Sequence, residues 1–160
     1  MTATQVNVGD VAELVARLQV LEDRAALEDL VKRYAVGCDT RDRALLLDVF
    51  TPDARGAYAA AEPMLGAETI VDWISMMTEP TIWQQHMVSP YSYDIEGDRA
   101  AVTAYLISHQ NYQPNPNVVT MMTSRYAFGC ERTATGWRIA ELTLVVGWIE
   151  SRYGDQSQLG

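Results

Sequence analysis

The spacing of apolar residues changes from a period of about 3.6 to a period of 2 near Thr81, and this change restricts the fold more than any single residue does. Upstream of it, Val11, Leu14, Val15, Leu18 and Leu21 form a helical stripe behind an Asp10 N-cap with Glu13 three residues on. The stripe shifts phase around Glu22 to Arg24, which predicts one bent helix or two stacked ones. This first segment either covers the core or meets another subunit. A second stripe follows, made by Leu27, Leu30, Val31, Tyr34, Ala35 and Cys38, with Glu28, Asp29, Lys32 and Arg33 opposite. Asp39 extends that stripe with a carboxylate, which either caps the helix in water or turns into the core. Arg41 to Phe50 reads as a short helix with Leu45, Leu46, Val49 and Phe50 inward, stopped by Thr51-Pro52-Asp53. Ala54 to Ala61 is a short strand or loop. Gly66 opens a third helix carrying Ile70, Val71, Trp73, Ile74 and Met77, and Glu79-Pro80 ends it.

Downstream of Thr81, strands are expected over about 81–95, 98–113, 117–132 and 136–150, joined by short turns at Glu96-Gly97-Asp98, Gln113 to Pro116 and Ala134-Thr135-Gly136. Long strands with short turns make an antiparallel meander. In the last strand Trp137 and Ile139 have one parity and Leu142, Leu144, Val146 and Trp148 the other, so a β-bulge that bends the strand is expected near Ala140. The fold class is α+β: three or four helices packed on a curved, mainly antiparallel sheet, a cone enclosing a pocket.

At 160 residues the chain is the size of one domain, placed at 10–150 between flexible tails at 1–9 and 151–160. Its net charge of −9 and scattered basic residues argue against a nucleic-acid partner. No apolar run is long enough for a membrane span, and residues 1–5 lack the pattern of a secretory leader. Cys38 and Cys130 show no metal-type spacing and read as free thiols, so a cytoplasmic protein is expected. No Gly-rich phosphate loop or metal-ligand spacing occurs, and neither a cofactor nor a metal is expected.

The two histidines both fall mid-strand. His86 shares parity with Ile82, Gln84 and Val88, but both faces of that strand are part apolar. His109 shares parity with Thr103, Tyr105 and Ile107. Ser124 and Tyr126 share theirs with Met122 and Phe128, which places them inward.

The segments Arg33-Tyr34 with Cys38-Asp39 and Asp42, then Phe50 to Ala54, then Gln85-His86, then Gly136 to Ile139, resemble the SnoaL-like branch of the NTF2-like superfamily in order and spacing. The resemblance spans about residues 20–148 and implies that superfamily's cone-shaped fold. Within it, the scytalone dehydratases are similar at Asp39, at Gln85-His86, at His109-Gln110-Asn111-Tyr112 and at Ser124, although they carry a tyrosine where Cys38 stands. The bile-acid 7-alpha-dehydratases are similar at Tyr34, Asp39 and His86. The dehydrochlorinase shares the Asp and the His but has a lysine in place of Tyr34.

The resemblance implies a cofactor-independent dehydratase. His86 is the expected general base, since an imidazole titrates near neutral pH and an adjacent carboxylate, Asp39, favours its protonated form. Tyr34, with His109 or Ser124, would hydrogen-bond the carbonyl or the departing hydroxyl. Trp83, Tyr105 and Tyr126 would contact a small, hydrophobic, cyclic hydroxy-carbonyl substrate of polyketide or steroid type. A ketosteroid-isomerase-like isomerase or polyketide cyclase, and a non-catalytic ligand-binding module, are the alternatives. A homodimer or homotrimer is expected.

Overall fold

The computed structural model describes residues 8–59 and 61–154. Most of both expected tails lies outside these residues; where they are described, the first helix begins at Val8 and the last strand runs on through Tyr153. The elements are α1 (Val8–Thr40), α2 (Arg43–Val49), β1 (Phe50–Tyr58), β2 (Met64–Leu65), α3 (Ala67–Thr78), β3 (Thr81–Glu96), β4 (Arg99–Tyr112), β5 (Asn115–Thr133) and β6 (Gly136–Tyr153).

The two N-terminal stripes belong to one helix. Only the second is buried: Leu27, Leu30, Val31, Tyr34 and Cys38 pack on the sheet, while every residue from Gly9 to Glu22 is exposed. The first stripe therefore does not cover this chain's core. β3 to β6 form the expected antiparallel meander, with turn glycines Gly97 and Gly136 at positive φ.

The expected sheet geometry requires correction. The sheet is neither curved nor closed into a cone; it is open, six-stranded and mixed, in the order β2-β1-β6-β5-β4-β3, with β2 and β3 as its edges. Its mixed character comes from β1, which runs parallel to β6 with Tyr58 beside Leu144. Pro52 concealed this strand in the sequence. It lies where the β1–β6 register shifts between Phe50 and Arg55, so the ladder does not require the N–H that proline lacks. The bulge expected near Ala140 is present as the register shift between Gly129 and Cys130. A second shift, between Thr123 and Ser124, breaks the parity that had grouped Val146 with Trp148.

One face of the open sheet carries the core. Even-numbered residues of β4 and β5, among them Val102, Leu106, Tyr126 and Phe128, meet α1 and α3 together with Ile139 and Leu142 of β6. Full burial of each large apolar side chain here contributes roughly 1.5–3 kcal/mol. Tyr34 stands at the centre, edge-on to Phe50, Tyr126 and Phe128 at centroid distances of 5.9, 5.6 and 5.8 Å.

A polar latch fixes the middle of α1. Asp23, 5% exposed, accepts from Arg132 at both carboxylate oxygens (2.8 Å each) and from the Trp137 indole at 3.1 Å. The Arg132 guanidinium lies 4.3 Å over the Trp137 ring and also donates to Asp98 at 3.0 Å. Among the described residues, no helix is long and apolar enough to cross a membrane.

Candidate active site

The site begins with the way α1 ends. The Asp42 N–H reaches back to Gly37 O (3.0 Å) and the Arg41 N–H to Cys38 O (3.3 Å), a Schellman closure with Arg41 in the left-handed region at φ 54°. The Arg41 side chain is tied to the α3–β3 junction through Thr78 O and Thr81. Gln84 of β3 donates to Cys38 O. The helix end is thus satisfied by main chain and by other side chains, and Asp42 caps α2 by accepting from the Leu45 N–H. Asp39 is not needed as a cap, and its carboxylate turns to β3.

There it meets His86. Asp39 Oδ1 lies 2.5 Å from Nδ1 of the ring, and Oδ2 accepts the His86 main-chain N–H at 3.0 Å. One carboxylate thereby fixes both the ring and the backbone of the same residue. An Nδ1–H donated to Asp39 leaves Nε2 with its lone pair. Among the described residues Nε2 has no hydrogen bond, and His86 lines a cavity of about 390 Å³.

That cavity lies between the sheet's inner face and helices α1 and α3. Tyr34, Tyr58, Trp73, Met122, Tyr126 and Leu144 form much of its wall, and Gln110 and Tyr112 face it from β4. Three tyrosine hydroxyls converge at one side: Tyr34 to Tyr58 at 3.0 Å and Tyr34 to Tyr126 at 3.5 Å. Burial raises all three phenol pKa values above the ordinary 10, so each keeps its proton at neutral pH and can donate it in a hydrogen bond. Burial likewise pushes the Cys38 thiol up to about 12, which leaves it uncharged and a poor nucleophile. Among the described residues, no three His, Cys, Asp or Glu side chains gather as a metal site would require.

The structure brings together Tyr34, Asp39, His86 and Tyr126. Tyr34, His86 and Tyr126 line the cavity; Asp39 stands behind His86 rather than in the wall. Ser124 is buried on the inner face beside Tyr126, but it does not line the cavity and its Oγ has no partner among the described residues. Trp83, Tyr105 and His109 are not at the cavity. In β4 the even residues Leu106, Ser108 and Gln110 point inward, so Tyr105 and His109 occupy the other face, where Tyr105 is 57% exposed and stacks on Tyr91. Trp83 is 52% exposed on edge strand β3. Parity grouped these residues correctly, but apolar side chains occur on both sides of the sheet and gave no direction.

Tyr58 and Trp73 are wall residues that the sequence did not mark as site candidates. Gln110 and Tyr112 lie in the His109-Gln110-Asn111-Tyr112 segment, of which they and not His109 line the cavity. Tyr58 has the same parity as the buried Ala54, a signal available only once β1 is recognised as a strand; Trp73 stacks on it at 4.5 Å.

The arrangement defines a class of protein: a helix-covered mixed sheet with a carboxylate-held histidine and donor tyrosines at an apolar cavity, equipped for acid–base chemistry. The sequence matches the SnoaL-like domain over residues 19–143, and the chain belongs to that family. No curated protein matches it in sequence. Among solved structures it is similar to a provisionally named aromatic ring hydroxylase from Novosphingobium aromaticivorans (27% identity, TM-score 0.74, covering 82% of this chain and 94% of that one). It shares its fold with hexachlorocyclohexane dehydrochlorinase LinA-type3 from Novosphingobium barchaimii (18% identity, TM-score 0.78, 87% and 96% covered). It shares it also with a provisionally named scytalone dehydratase from N. aromaticivorans (15% identity, TM-score 0.76, 84% and 91% covered). Fold and residue arrangement together are consistent with an enzyme of this family.

Proposed function

We propose that the protein is a dehydratase that removes water from a compact, hydrophobic β-hydroxy carbonyl compound by general acid–base catalysis. The observation that carries this reading is the two-point grip of Asp39 on His86, which engages Nδ1 and leaves Nε2 of a cavity-lining ring without a protein partner among the described residues. His86 Nε2 takes the proton alpha to the carbonyl. The developing enolate oxygen receives a hydrogen bond from the tyrosine hydroxyl cluster around Tyr34, whose two internal bonds leave one proton to donate. The C–O bond then breaks, the imidazolium returns its proton to the departing hydroxyl, and alkene and water leave. The similarity to the bile-acid 7-alpha-dehydratases at Tyr34, Asp39 and His86 supports this reading, as do the eliminations denoted by the names of two structural neighbours. A cavity of about 390 Å³ is near the small end of the usual range of roughly 300–1,000 Å³, which favours a substrate of one or two rings.

One observation favours a second reading. The one hydroxyl proton that the Tyr34–Tyr58–Tyr126 cluster does not use internally would hold a dienolate as well as an enolate, and on a substrate without a β-leaving group the same base would return its proton elsewhere as an isomerase.

A panel of cyclic ketones with and without a β-hydroxyl, followed by the absorbance of the conjugated alkene, separates these readings. Turnover that falls about 10²–10⁴-fold in His86→Ala is expected. A panel converted only when the β-hydroxyl is absent, with double-bond migration, would replace the dehydratase reading by the isomerase one.

A further inference from the structure

The exposed first half of α1 has a heptad order that the remainder of the helix lacks. Val11, Leu14, Leu18, Leu21 and Ala25 follow one another at steps of 3, 4, 3 and 4, which places Val11, Leu18 and Ala25 at a positions and Leu14 and Leu21 at d positions. The four large residues of this seam are between 47% and 62% exposed. The seam faces away from this chain's own core. Leu18 and the fully buried Leu27 are nine residues apart, or two and a half turns, and so point in opposite directions. α1 is therefore apolar on one side over 27–38 and on the other over 11–25, and its own sheet can satisfy only the former. Beyond Ala25 the next d and a positions are Glu28 and Lys32, which ends the apolar run.

We propose that residues 11–25 pair with the same segment of a second copy of this chain as a short parallel coiled coil. Leucine at both d positions and valine at the first a position suit a two-stranded arrangement. The flanking charges select its direction. In a parallel pair, Arg17 at g meets Glu22 at e of the partner helix, and this occurs twice. An antiparallel pair centred on Leu18 would instead set Arg17 against Arg17. The remaining g-position cation, Arg24, already lies 5.0 Å over the Tyr93 ring of its own β3. Two heptads are too few for an isolated pair of helices, but here each arm continues a helix already nucleated and latched by its folded domain, so the ordering cost of association is reduced.

Sedimentation equilibrium of the full chain tests the proposal. Wild type is expected to show a dimeric species, and Leu14→Glu with Leu18→Glu is expected to halve its mass while circular dichroism and thermal midpoint stay near wild type. Leu14→Cys is expected to form an interchain disulfide under mild oxidation, because parallel d positions share a layer; Cys38 and Cys130 are buried and do not compete. A monomeric wild type overturns the proposal and leaves the seam to a helix of another protein. An unchanged mass in the double variant overturns it in favour of another face of the domain. A dimer that never cross-links through Leu14→Cys overturns the parallel arrangement.

Discussion

Asp39 engages one histidine with both of its oxygens, and the consequence of altering it is specific. Asparagine at 39 fits the space but presents an NH₂ to one of the two groups. If its oxygen keeps the main-chain N–H of His86, its amide nitrogen faces Nδ1, which must then accept, and the ring proton moves to Nε2. Nε2, the nitrogen not held by residue 39, is then no longer a base. Asp39→Asn is expected to lower kcat at least 10²-fold with the denaturation midpoint almost unchanged; wild-type kcat would remove Asp39 from the mechanism. Cys38 supports a second expectation at this scale. With its thiol pushed up to about 12 by burial, the native protein should resist iodoacetamide at pH 8 and react on unfolding in urea, which mass spectrometry would show. Labelling of Cys38 in the native state would mean that the thiol is neither buried nor neutral. Tyr34, Asp39 and His86 were legible in the sequence because local spacing and family resemblance coincide on them. His109 and Tyr105 were misplaced because a two-residue period divides a strand into faces without saying which is covered.

At the scale of elements, the end of α1 is aimed by its contact with α2. A Cβ added to Gly37 would lie 2.9 Å from two carbons of Leu46, so the two helices approach as closely as they do only because no side chain intervenes. Gly37→Ala is expected to cost about 1–3 kcal/mol, read as a lower urea midpoint, as Leu46 is forced from its fully buried position. An unchanged midpoint would mean that the α1–α2 junction yields freely. β3 to β6 were legible to within a few residues because alternation and turn glycines mark them independently. β1 was not, since Thr51-Pro52-Asp53 is an ordinary helix stop and nothing local announces a partner strand some eighty-five residues further on. The open, mixed character of the sheet follows from that one pairing, and periodicity carries no record of it.

Across the whole molecule, α1 is fastened to the far end of the sheet by Asp23, whose hydrogen bonds from Arg132 hold its carboxyl below the ordinary 3.8 despite burial. A carboxylate with a folded-state pKa below its unfolded one contributes stability that is fully present above the unfolded value and is lost as pH falls through the folded one. Urea midpoints are therefore expected to fall steeply below about pH 4. Asp23→Ala should lose about 3 kcal/mol at neutral pH and show a weaker dependence on acid. Parallel acid profiles for the two proteins would relieve Asp23 of this role. The adjacency of β1 to β6 acts on a different axis, that of time. On a ribosome the chain emerges from its N-terminal end, and β1 appears before α3 and the whole meander, yet its long neighbour β6 follows all of them in the chain. Closing the β1–β6 ladder across so large a sequence separation is slow by its topology. Until Thr143 and Leu144 are out of the exit tunnel, Tyr58 has no wall to join, and the cavity cannot exist before β6 does.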